Sequence, residues 1–256
     1  MKRMAGKVAI ITGAGNGMGK GTAELFLEEG AKVVGVDIAK GSLDYLNENP
    51  DALAVYADIT TNDGIEEIAS KAMEKFGRID VLCNIAGIND LCKTMDETTE
   101  EVWDRVHNLD LKAPFMLSKR IVAEMVKNPG EKKGAILNIG SLAAYAGNHG
   151  PSYSAAKHGL VGLTMSMAVG LIQQGIRTNC IHPGGVNTNI ETHSGGKYSE
   201  KGMQMLIDIT GKWPANIGGY ADTIDIARAA LFLCSDESSH INGAFLPVDN
   251  GMSVTG

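Results

Sequence analysis

Near the start of the chain, a short apolar run leads straight into a glycine-rich turn. The stretch reads Val8-Ala9-Ile10-Ile11-Thr12-Gly13-Ala14-Gly15-Asn16-Gly17-Met18-Gly19. The apolar run is typical of a strand buried on both faces, and the residues after the turn have helical spacing. Glycines at such a turn allow close backbone approach to a pyrophosphate, and the helix start offers free N–H groups and positive potential. The stretch therefore predicts a dinucleotide-binding turn, with candidate contacts at Gly13, Gly15, Asn16, Gly17, Met18 and Gly19.

Six more apolar runs follow, separated by segments long enough for helices. Because these runs are continuous rather than alternating, they fit strands of a parallel sheet that is covered on both faces. No linker, repeat or shift in composition divides the chain, so we expect one α/β domain over residues 1–256, with a doubly wound sheet of about seven parallel strands. The predicted strands are Val8–Ile11, Val33–Val36, Ala52–Ala57, Ile79–Leu82, Ala135–Leu137, Ile176–Ile181 and Ala244–Val248.

Two segments outside the strands stand out. An amphipathic stretch predicts a long helix from about Glu100 to Lys127, with a kink at Pro114 because proline lacks an N–H. Residues 189–220 form a longer connection than two elements need. Glycine pairs at both ends of that connection predict hinges around a small substrate cap before the last helix. The cap contains Gly195-Gly196, Met203, Met205, Leu206, Ile207, Ile209, Trp213 and Gly218-Gly219.

Composition and charge exclude several classes of protein. The 256 residues carry 23 Lys and Arg against 30 Asp and Glu, a net charge of −7, which argues against a nucleic-acid surface. No stretch approaches the roughly 18 apolar residues of a membrane span, and the first apolar run is too short for a signal sequence. The 4 cysteines lack a Cys-x-x-Cys pair and the 6 histidines lack ligand spacing. We therefore expect a cytoplasmic protein with reduced thiols and no metal site.

Asp37 ends the second predicted strand, 18 positions after Gly19. A carboxylate at this place accepts hydrogen bonds from the adenosine ribose diol and repels a 2′-phosphate. Neither Asn16 nor Ile38 supplies a positive charge for such a phosphate. The sequence thus predicts NAD rather than NADP as the cofactor.

Tyr153 and Lys157 are four residues apart, on one face of a predicted helix that begins near Ser152. A tyrosine has an ordinary pKa of about 10, and a neighbouring ammonium group lowers the pKa by stabilising the phenolate. Such a tyrosine can exchange a proton with an alcohol or a ketone. Ser141, which follows a predicted buried strand, is placed to hydrogen-bond the same substrate oxygen.

Taken in order, these motifs resemble those of the classical short-chain dehydrogenase/reductase family over nearly the whole chain. The resemblance implies a Rossmann-type fold and hydride transfer between a nicotinamide and a carbon that bears oxygen. The protein would supply positioning and proton transfer. The matching motifs are Thr12 to Gly19, Asp58, Asn84-Ile85-Ala86-Gly87, Ser141, Tyr153 with Lys157, and Pro183 to Thr188.

The resemblance implies a role for each matching residue. Tyr153 would donate or accept the proton, Lys157 would hold the nicotinamide ribose, and Ser141 would orient the substrate. Tyr153 and Lys157 would therefore also contact the cofactor. Further cofactor contacts are implied at Ile38, Asp58, Ile59, Asn84, Ala86, Gly87, Pro183, Gly184, Val186 and Thr188. Substrate contacts are expected at Ser141, Leu142, Ala143, His149, Tyr153 and Met203.

One departure from the family pattern lies on the predicted long helix. Alignment of Trp103-Asp104-Arg105 and Leu111-Lys112 puts Asp110 where the family usually has a catalytic Asn. Asn108 is two residues away, about 200° around a helix, and should face elsewhere. Either Asp110 pairs with Lys157 through water and completes the proton relay, or turnover is impaired. We favour the intact relay, because the other catalytic residues are present.

The apolar cap and the residues after Ser141 favour a bulky apolar secondary alcohol or ketone. Similarity of Tyr153 to Thr188 to family members that act on terpene alcohols and hydroxysteroids makes a hydroxysteroid, such as a bile acid, the first expectation. A terpenoid or other cyclic alcohol comes next, followed by a 3-oxoacyl carrier-protein substrate. A catalytically weak redox sensor is the alternative from a different class. Family resemblance also implies a homo-oligomer, usually a tetramer.

Overall fold

The structure, a computed structural model, describes residues 2–147, 149–210 and 219–254. Its centre is one sheet of seven parallel strands, in the order β3-β2-β1-β4-β5-β6-β7. Each strand overlaps one predicted from an apolar run, so the predicted fold class is confirmed. The strands are β1 Val8–Thr12, β2 Lys32–Asp37, β3 Ala52–Tyr56, β4 Val81–Asn84, β5 Gly134–Ile139, β6 Ile176–Pro183 and β7 Phe245–Val248.

Helices cover both faces of the sheet. On one face, α1 packs against α8 over a core that includes Ile11 and Phe26; on the other, α2, α4 and α5 cover a core that includes Ile10, Leu82 and Ile121. Each fully buried side chain of this size contributes roughly 1.5–3 kcal/mol by leaving water. The helices are α1 Gly17–Glu28, α2 Asn62–Phe76, α3 Glu100–His107, α4 Ala113–Met125, α5 Pro151–Leu171, α6 Ile190–His193, α7 Glu200–Thr210 and α8 Thr223–Cys234.

The strand order reverses beside β1, since β2 lies on one side of it and β4 on the other. At such a reversal the connections leave in opposite directions and open a crevice at the carboxyl ends of the strands. The glycine-rich turn after β1 lies at this crevice. The topology therefore places the predicted cofactor turn where a parallel sheet binds ligands.

The predicted long central helix forms in two parts, α3 and α4, joined by a π-helical turn at Asn108–Lys112. The N–H of Ala113 bonds to the carbonyl of Asn108, five residues back instead of four. Pro114 has no N–H to pair with the carbonyl of Asp110, so the regular helical ladder is interrupted before the proline. The distortion thus precedes Pro114 rather than centring on it, and it includes the position of the predicted catalytic carboxylate.

The segment Pro151–Gln174, which contains α5, is long and apolar enough to span a membrane by length and composition alone. The core helix of a soluble protein meets the same criterion. Tyr153, Ala156 and Leu160 on this helix are buried in the protein. One face of α5 thus belongs to the core and the catalytic site.

The connection expected to form a cap contains α6 and α7, and both are tied to the segment that follows β4. The backbone N–H of Asn89 donates to Ser194 Oγ at 2.9 Å, and the N–H of Ser199 donates to the carbonyl of Leu91 at 2.8 Å. Arg105 on α3 donates to the carbonyl of Ser194 at 2.8 Å. The predicted residues Trp213 and Gly218 lie outside the described residues.

Candidate active site

A cleft of about 520 Å³ lies at the reversal point of the sheet. It runs from the glycine-rich turn past the end of β2 to the segments after β3 and β4. Many of the predicted cofactor residues line it together, namely Gly13, Asn16, Gly17, Met18, Gly19, Asp37, Ile38, Asp58, Ile59, Ala86, Gly87 and Thr188. The structure therefore brings most of the expected cofactor contacts onto one surface.

The glycine turn is built so that α1 starts close to the end of β1. Gly13 has a φ of +68°, which favours glycine, and a Cβ there would lie 3.0 Å from Ala86 Cα. A Cβ on Gly19 would lie 2.1 Å from the Gly13 carbonyl oxygen. The side chain of Asn16 caps α1 by accepting the N–H of Gly17. These contacts bring the N-terminal end of α1 to the cleft, and a helix N-terminus favours a pyrophosphate.

Asp37 lies at the carboxyl end of β2, beside the glycine turn. Its Oδ2 accepts the N–H of Gly15 and its Oδ1 accepts the N–H of Ala39, both at 2.9 Å. These bonds fix the carboxylate at the edge of the cleft. The turn and the carboxylate fit the adenosine diphosphate part of a nicotinamide dinucleotide.

Other predicted cofactor residues occupy different surroundings. Asn84 is buried, and its amide donates to Asn138 Oδ1 at 2.8 Å and Ser118 Oγ at 3.2 Å. Its side chain therefore joins β4 to β5 and α4 instead of lining the cleft, unlike the expectation. Pro183 ends β6, the N–H of Gly184 bonds to the carbonyl of Val248, and Val186 forms a bridge with Ala221.

The predicted catalytic side chains meet beside this cleft. Tyr153 lies in the first turn of α5 and is buried, and the nearby Ser141 side chain acts to lower the pKa of its hydroxyl. Lys157, one turn later, has its Nζ 5.4 Å from the centre of the Tyr153 ring and donates to the carbonyl of Ile139 at 2.9 Å. Ile88 lines the cleft and belongs to the apolar cluster that includes Tyr153. The acid–base group thus adjoins the cofactor surface.

Asp110 contacts Lys157 directly, with 3.0 Å between Oδ2 and Nζ. From the sequence we expected a water molecule between the two side chains. This expectation was wrong, because they are in direct contact. The other carboxylate oxygen accepts the N–H of Ile88 at 3.0 Å. Both residues of the pair are buried, whereas Asn108 is exposed. The π-helical turn therefore presents a carboxylate to the lysine that was predicted to act on Tyr153.

The charges around Tyr153 oppose each other. Burial raises the pKa of Tyr153 above its usual value, the Lys157 ammonium lowers it, and the Asp110 carboxylate raises it again. The net direction is upward, although the resemblance implied a net lowering by Lys157. Asp110 in turn holds the pKa of Lys157 above the ordinary lysine value despite the burial of that lysine. The lysine remains an ammonium, but its effect on the tyrosine is partly cancelled.

Buried apolar residues border Ser141 on the side predicted to hold substrate. Leu142 and Ala143 form a short helical turn capped by Ser141, whose Oγ accepts the N–H of Ala143 at 3.1 Å. The ring of His149 lies 5.4 Å from the ring of Tyr153, and burial lowers the pKa of His149 to about 4. Met203 is half-buried on α7. Leu142, Ala143 and His149 are thus near the reacting groups, and Met203 belongs to the cap.

Comparisons with known proteins agree with this geometry. A family model described as enoyl-(acyl carrier protein) reductase matches residues 13–253. The chain belongs to the short-chain dehydrogenase/reductase family. It is 36% identical to the 3-oxoacyl-[acyl-carrier-protein] reductase FabG of Thermotoga maritima, over 98% of this chain and 100% of that protein.

Two solved structures of short-chain dehydrogenases/reductases superpose closely. Levodione reductase matches with a TM-score of 0.86 and 30% identity, over 99% of this chain and 100% of that chain. The 3-ketoacyl-(acyl-carrier-protein) reductase of Brucella melitensis, complexed with NADH, matches with a TM-score of 0.85 and 31% identity, over 97% and 99%. The family fold, with its nicotinamide dinucleotide site, is therefore shown for this chain.

Two residues near the site were not predicted from the sequence. His182 on β6 is buried, and its Nδ1 lies 2.7 Å from the carbonyl oxygen of Ser141, so the imidazole supports the turn that carries the serine. Asp90 is buried beside the first turn of α5 and accepts the N–H of Tyr153 at 2.9 Å. Neither contact has a signal in sequence spacing, because each joins residues more than forty positions apart.

Proposed function

We propose that this protein is an NAD(H)-dependent oxidoreductase that interconverts a bulky apolar secondary alcohol and its ketone. The buried Tyr153, with Ser141 and Lys157 beside it, carries the proposal, because it adjoins a cleft suited to a dinucleotide. Among the described residues, no cluster of His, Cys, Asp and Glu has the arrangement of a metal site. The proton chemistry is accordingly assigned to Tyr153.

When bound, the nicotinamide supplies the hydride acceptor or donor. Ser141 and Tyr153 hold the substrate oxygen between two hydroxyl groups and so orient the reacting carbon. In alcohol oxidation, the Tyr153 phenolate accepts the hydroxyl proton; in ketone reduction, the Tyr153 hydroxyl returns it. Lys157 stabilises the phenolate, and Asp110 keeps the lysine in its ammonium form but weakens its field on the tyrosine.

The preference for NAD rests on Asp37. Its carboxylate is held at the cleft by two backbone N–H groups, where it can accept hydrogen bonds from a ribose diol. A 2′-phosphate on the same ribose would meet a like charge, which costs several kcal/mol in a closed site. The solved reductase of Brucella melitensis is complexed with NADH, which agrees with this choice.

The substrate class rests on the apolar surroundings of Ser141. Leu142, Ala143 and Ala144 are buried beside it. These surroundings support a ring-bearing alcohol or ketone, with a hydroxysteroid such as a bile acid first and a terpenoid or other cyclic alcohol second. A 3-oxoacyl carrier-protein substrate is the third candidate, and it is supported by two relatives that are named as reductases of that class.

A homo-oligomer, with a tetramer as the expected form, is part of the proposal. Within one chain, only 28% of an 18-residue apolar stretch of Pro151–Gln174 is buried. Apolar side chains are exposed on α5 at Met165 and Val169, just after α5 at Ile172, and on α4 at Phe115. Pairing of these helices between copies would cover a surface of the kind that marks protein interfaces. Free, buried cysteines support a reducing, cytoplasmic location.

A panel of initial rates tests the function and the substrate class together. Hydroxysteroids, monocyclic terpene alcohols and a 3-oxoacyl thioester are each assayed with the NAD and the NADP forms of the cofactor. We expect turnover with NAD(H) on a ring-bearing substrate. A preference for NADP(H) would contradict the role of Asp37, and turnover of the thioester alone would favour the 3-oxoacyl carrier-protein substrate. Tight NADH binding without any turnover would favour the redox sensor.

A further inference from the structure

Asp90 lies in the segment that joins β4 to α3, and only 1% of its surface is exposed. Its Oδ2 accepts the backbone N–H of Tyr153 at 2.9 Å, across 63 positions of sequence. The cap position of α5 is Gly150, which has no side chain to cap with, and Pro151 in the first turn has no N–H. The Asp90 carboxylate therefore takes the place that a local Ser or Asp side chain occupies in other helices.

The backbone on both sides of this contact is adapted to it. A Cβ on Gly150 would lie 2.3 Å from Asp90 Oδ2, so glycine is needed for the carboxylate to reach the helix. The two residues after Asp90, Leu91 and Cys92, have φ values of +57° and +52°. Such conformations are costly for residues with side chains and persist where the surroundings impose them. Backbone strain and close packing thus both serve the placement of Asp90.

The same segment also seats the cap. Asn89 donates to Ser194 Oγ, and the carbonyl of Leu91 accepts the N–H of Ser199. The residues on either side of Asp90 therefore contact the cap, while Asp90 itself contacts the catalytic helix. A shift of this segment would move Tyr153, because one hydrogen bond joins the Asp90 carboxylate to the backbone N–H of Tyr153.

We propose that Asp90 is a positioning residue for the reaction, which caps α5 from a distant part of the chain and fixes the catalytic Tyr153 through its backbone N–H. This inference rests on the proposed function of Tyr153 as the acid–base group. Asp90 does not touch the reacting atoms in this account. It sets where the tyrosine hydroxyl stands relative to Ser141 and the cleft.

The charge of Asp90 has a second effect, which a purely mechanical support would lack. A carboxylate near Tyr153 disfavours the phenolate and raises the tyrosine pKa. Removal of that charge should therefore lower the pH at which the phenolate forms. The charged or titratable groups that face Tyr153 are Lys157 from α5, Asp110 from the π-helical turn, Asp90 from the segment after β4, His149 from the loop before α5 and Tyr198 from the cap.

Kinetics of three variants test the proposal. Asp90→Ala removes the acceptor, and we expect kcat to fall by roughly tenfold or more while the KM for the cofactor is unchanged. Asp90→Asn keeps an acceptor oxygen without the charge; it should retain most of kcat and move the acid limb of alcohol oxidation to lower pH. Gly150→Ala leaves Asp90 in the sequence but displaces its carboxylate, and should reproduce the loss in Asp90→Ala. Asp96→Asn, an exposed carboxylate of the same segment, is the control.

Amide hydrogen exchange over residues 150–158 gives a readout that does not depend on turnover. We expect faster exchange in Asp90→Ala and Gly150→Ala than in the wild type, with Asp90→Asn close to the wild type. Unchanged exchange and kcat in Asp90→Ala, or equal losses in Asp90→Ala and Asp90→Asn, would overturn the role of Asp90 while the proposed function stands. A wild-type protein without turnover on any alcohol or ketone would instead overturn the proposed function.

Discussion

At the scale of single residues, one departure from the family pattern is Asp110, at the position where the family usually has Asn. Asp110 offers a carboxylate oxygen to Lys157 where the usual Asn would offer an amide. Burial raises the Tyr153 pKa above its ordinary value, and the Asp110 carboxylate adds to this by offsetting the Lys157 ammonium. Ketone reduction, which uses the neutral hydroxyl, is therefore expected to proceed across neutral pH, whereas alcohol oxidation should rise as the pH becomes alkaline.

Replacement of Asp110 by Asn tests this balance of charges. The variant removes a negative charge 3.0 Å from Lys157, which strengthens the field of the ammonium on Tyr153 and lowers the tyrosine pKa. We expect the acid limb of kcat/KM for alcohol oxidation to move to lower pH, with the maximal kcat changed by less than about tenfold. The matched control is Asp104→Asn, at an exposed position of α3. A strong rise in turnover at all pH values would show that Asp110 impairs the relay.

At the scale of elements, the apolar runs predicted the strands, and the glycines predicted the turn after the first strand. The seven predicted strands were found because each is buried on both faces and so has a continuous apolar sequence. Two features of the structure were not predicted from the sequence. The π-helical turn depends on how α3 and α4 pack around Asp110, and the cap on α5 comes from Asp90, far away in sequence. Such tertiary contacts cannot be predicted from the spacing of residues in the sequence.

The glycine turn provides a test at this scale. A methyl group on Gly19 would collide with the Gly13 carbonyl, so Gly19→Ala should push α1 away from β1. We expect NADH to bind at least tenfold more weakly and the free energy of unfolding to fall by about 1–3 kcal/mol. Gly170→Ala, in α5 with no atom within 4 Å of the new methyl group, should instead raise the free energy of unfolding by about 0.5–1 kcal/mol. Denaturant unfolding and NADH fluorescence titration measure both effects, and equal behaviour of the two variants would refute the close approach.

At the scale of the whole molecule, one chain leaves apolar helix surface uncovered. The exposed fractions of Val169 and Met165 are 78% and 54%, although both lie on a helix whose other face forms the active site. Contact between copies at α4 and α5 would bury these side chains and brace the catalytic helix. Assembly and catalysis are in this view linked through α5.

A charge placed on this surface tests the assembly. Val169→Glu should convert the oligomer into smaller species, because a buried unpaired carboxylate at an interface is costly. Sedimentation velocity should show the change in mass, with Asn47→Glu, exposed and distant from α5 in sequence, as the charge-matched control. A wild-type protein that sediments as a monomer would refute the proposed assembly.

The central claim is that Tyr153 transfers the proton while NAD(H) carries the hydride, and the most direct measurement is the rate of NAD reduction by Tyr153→Phe beside the wild type. The variant loses only the hydroxyl, so NADH should bind with an affinity close to that of the wild type. We predict a fall in kcat of at least about a thousandfold with this binding intact. Turnover in Tyr153→Phe within about tenfold of the wild type would contradict the claim.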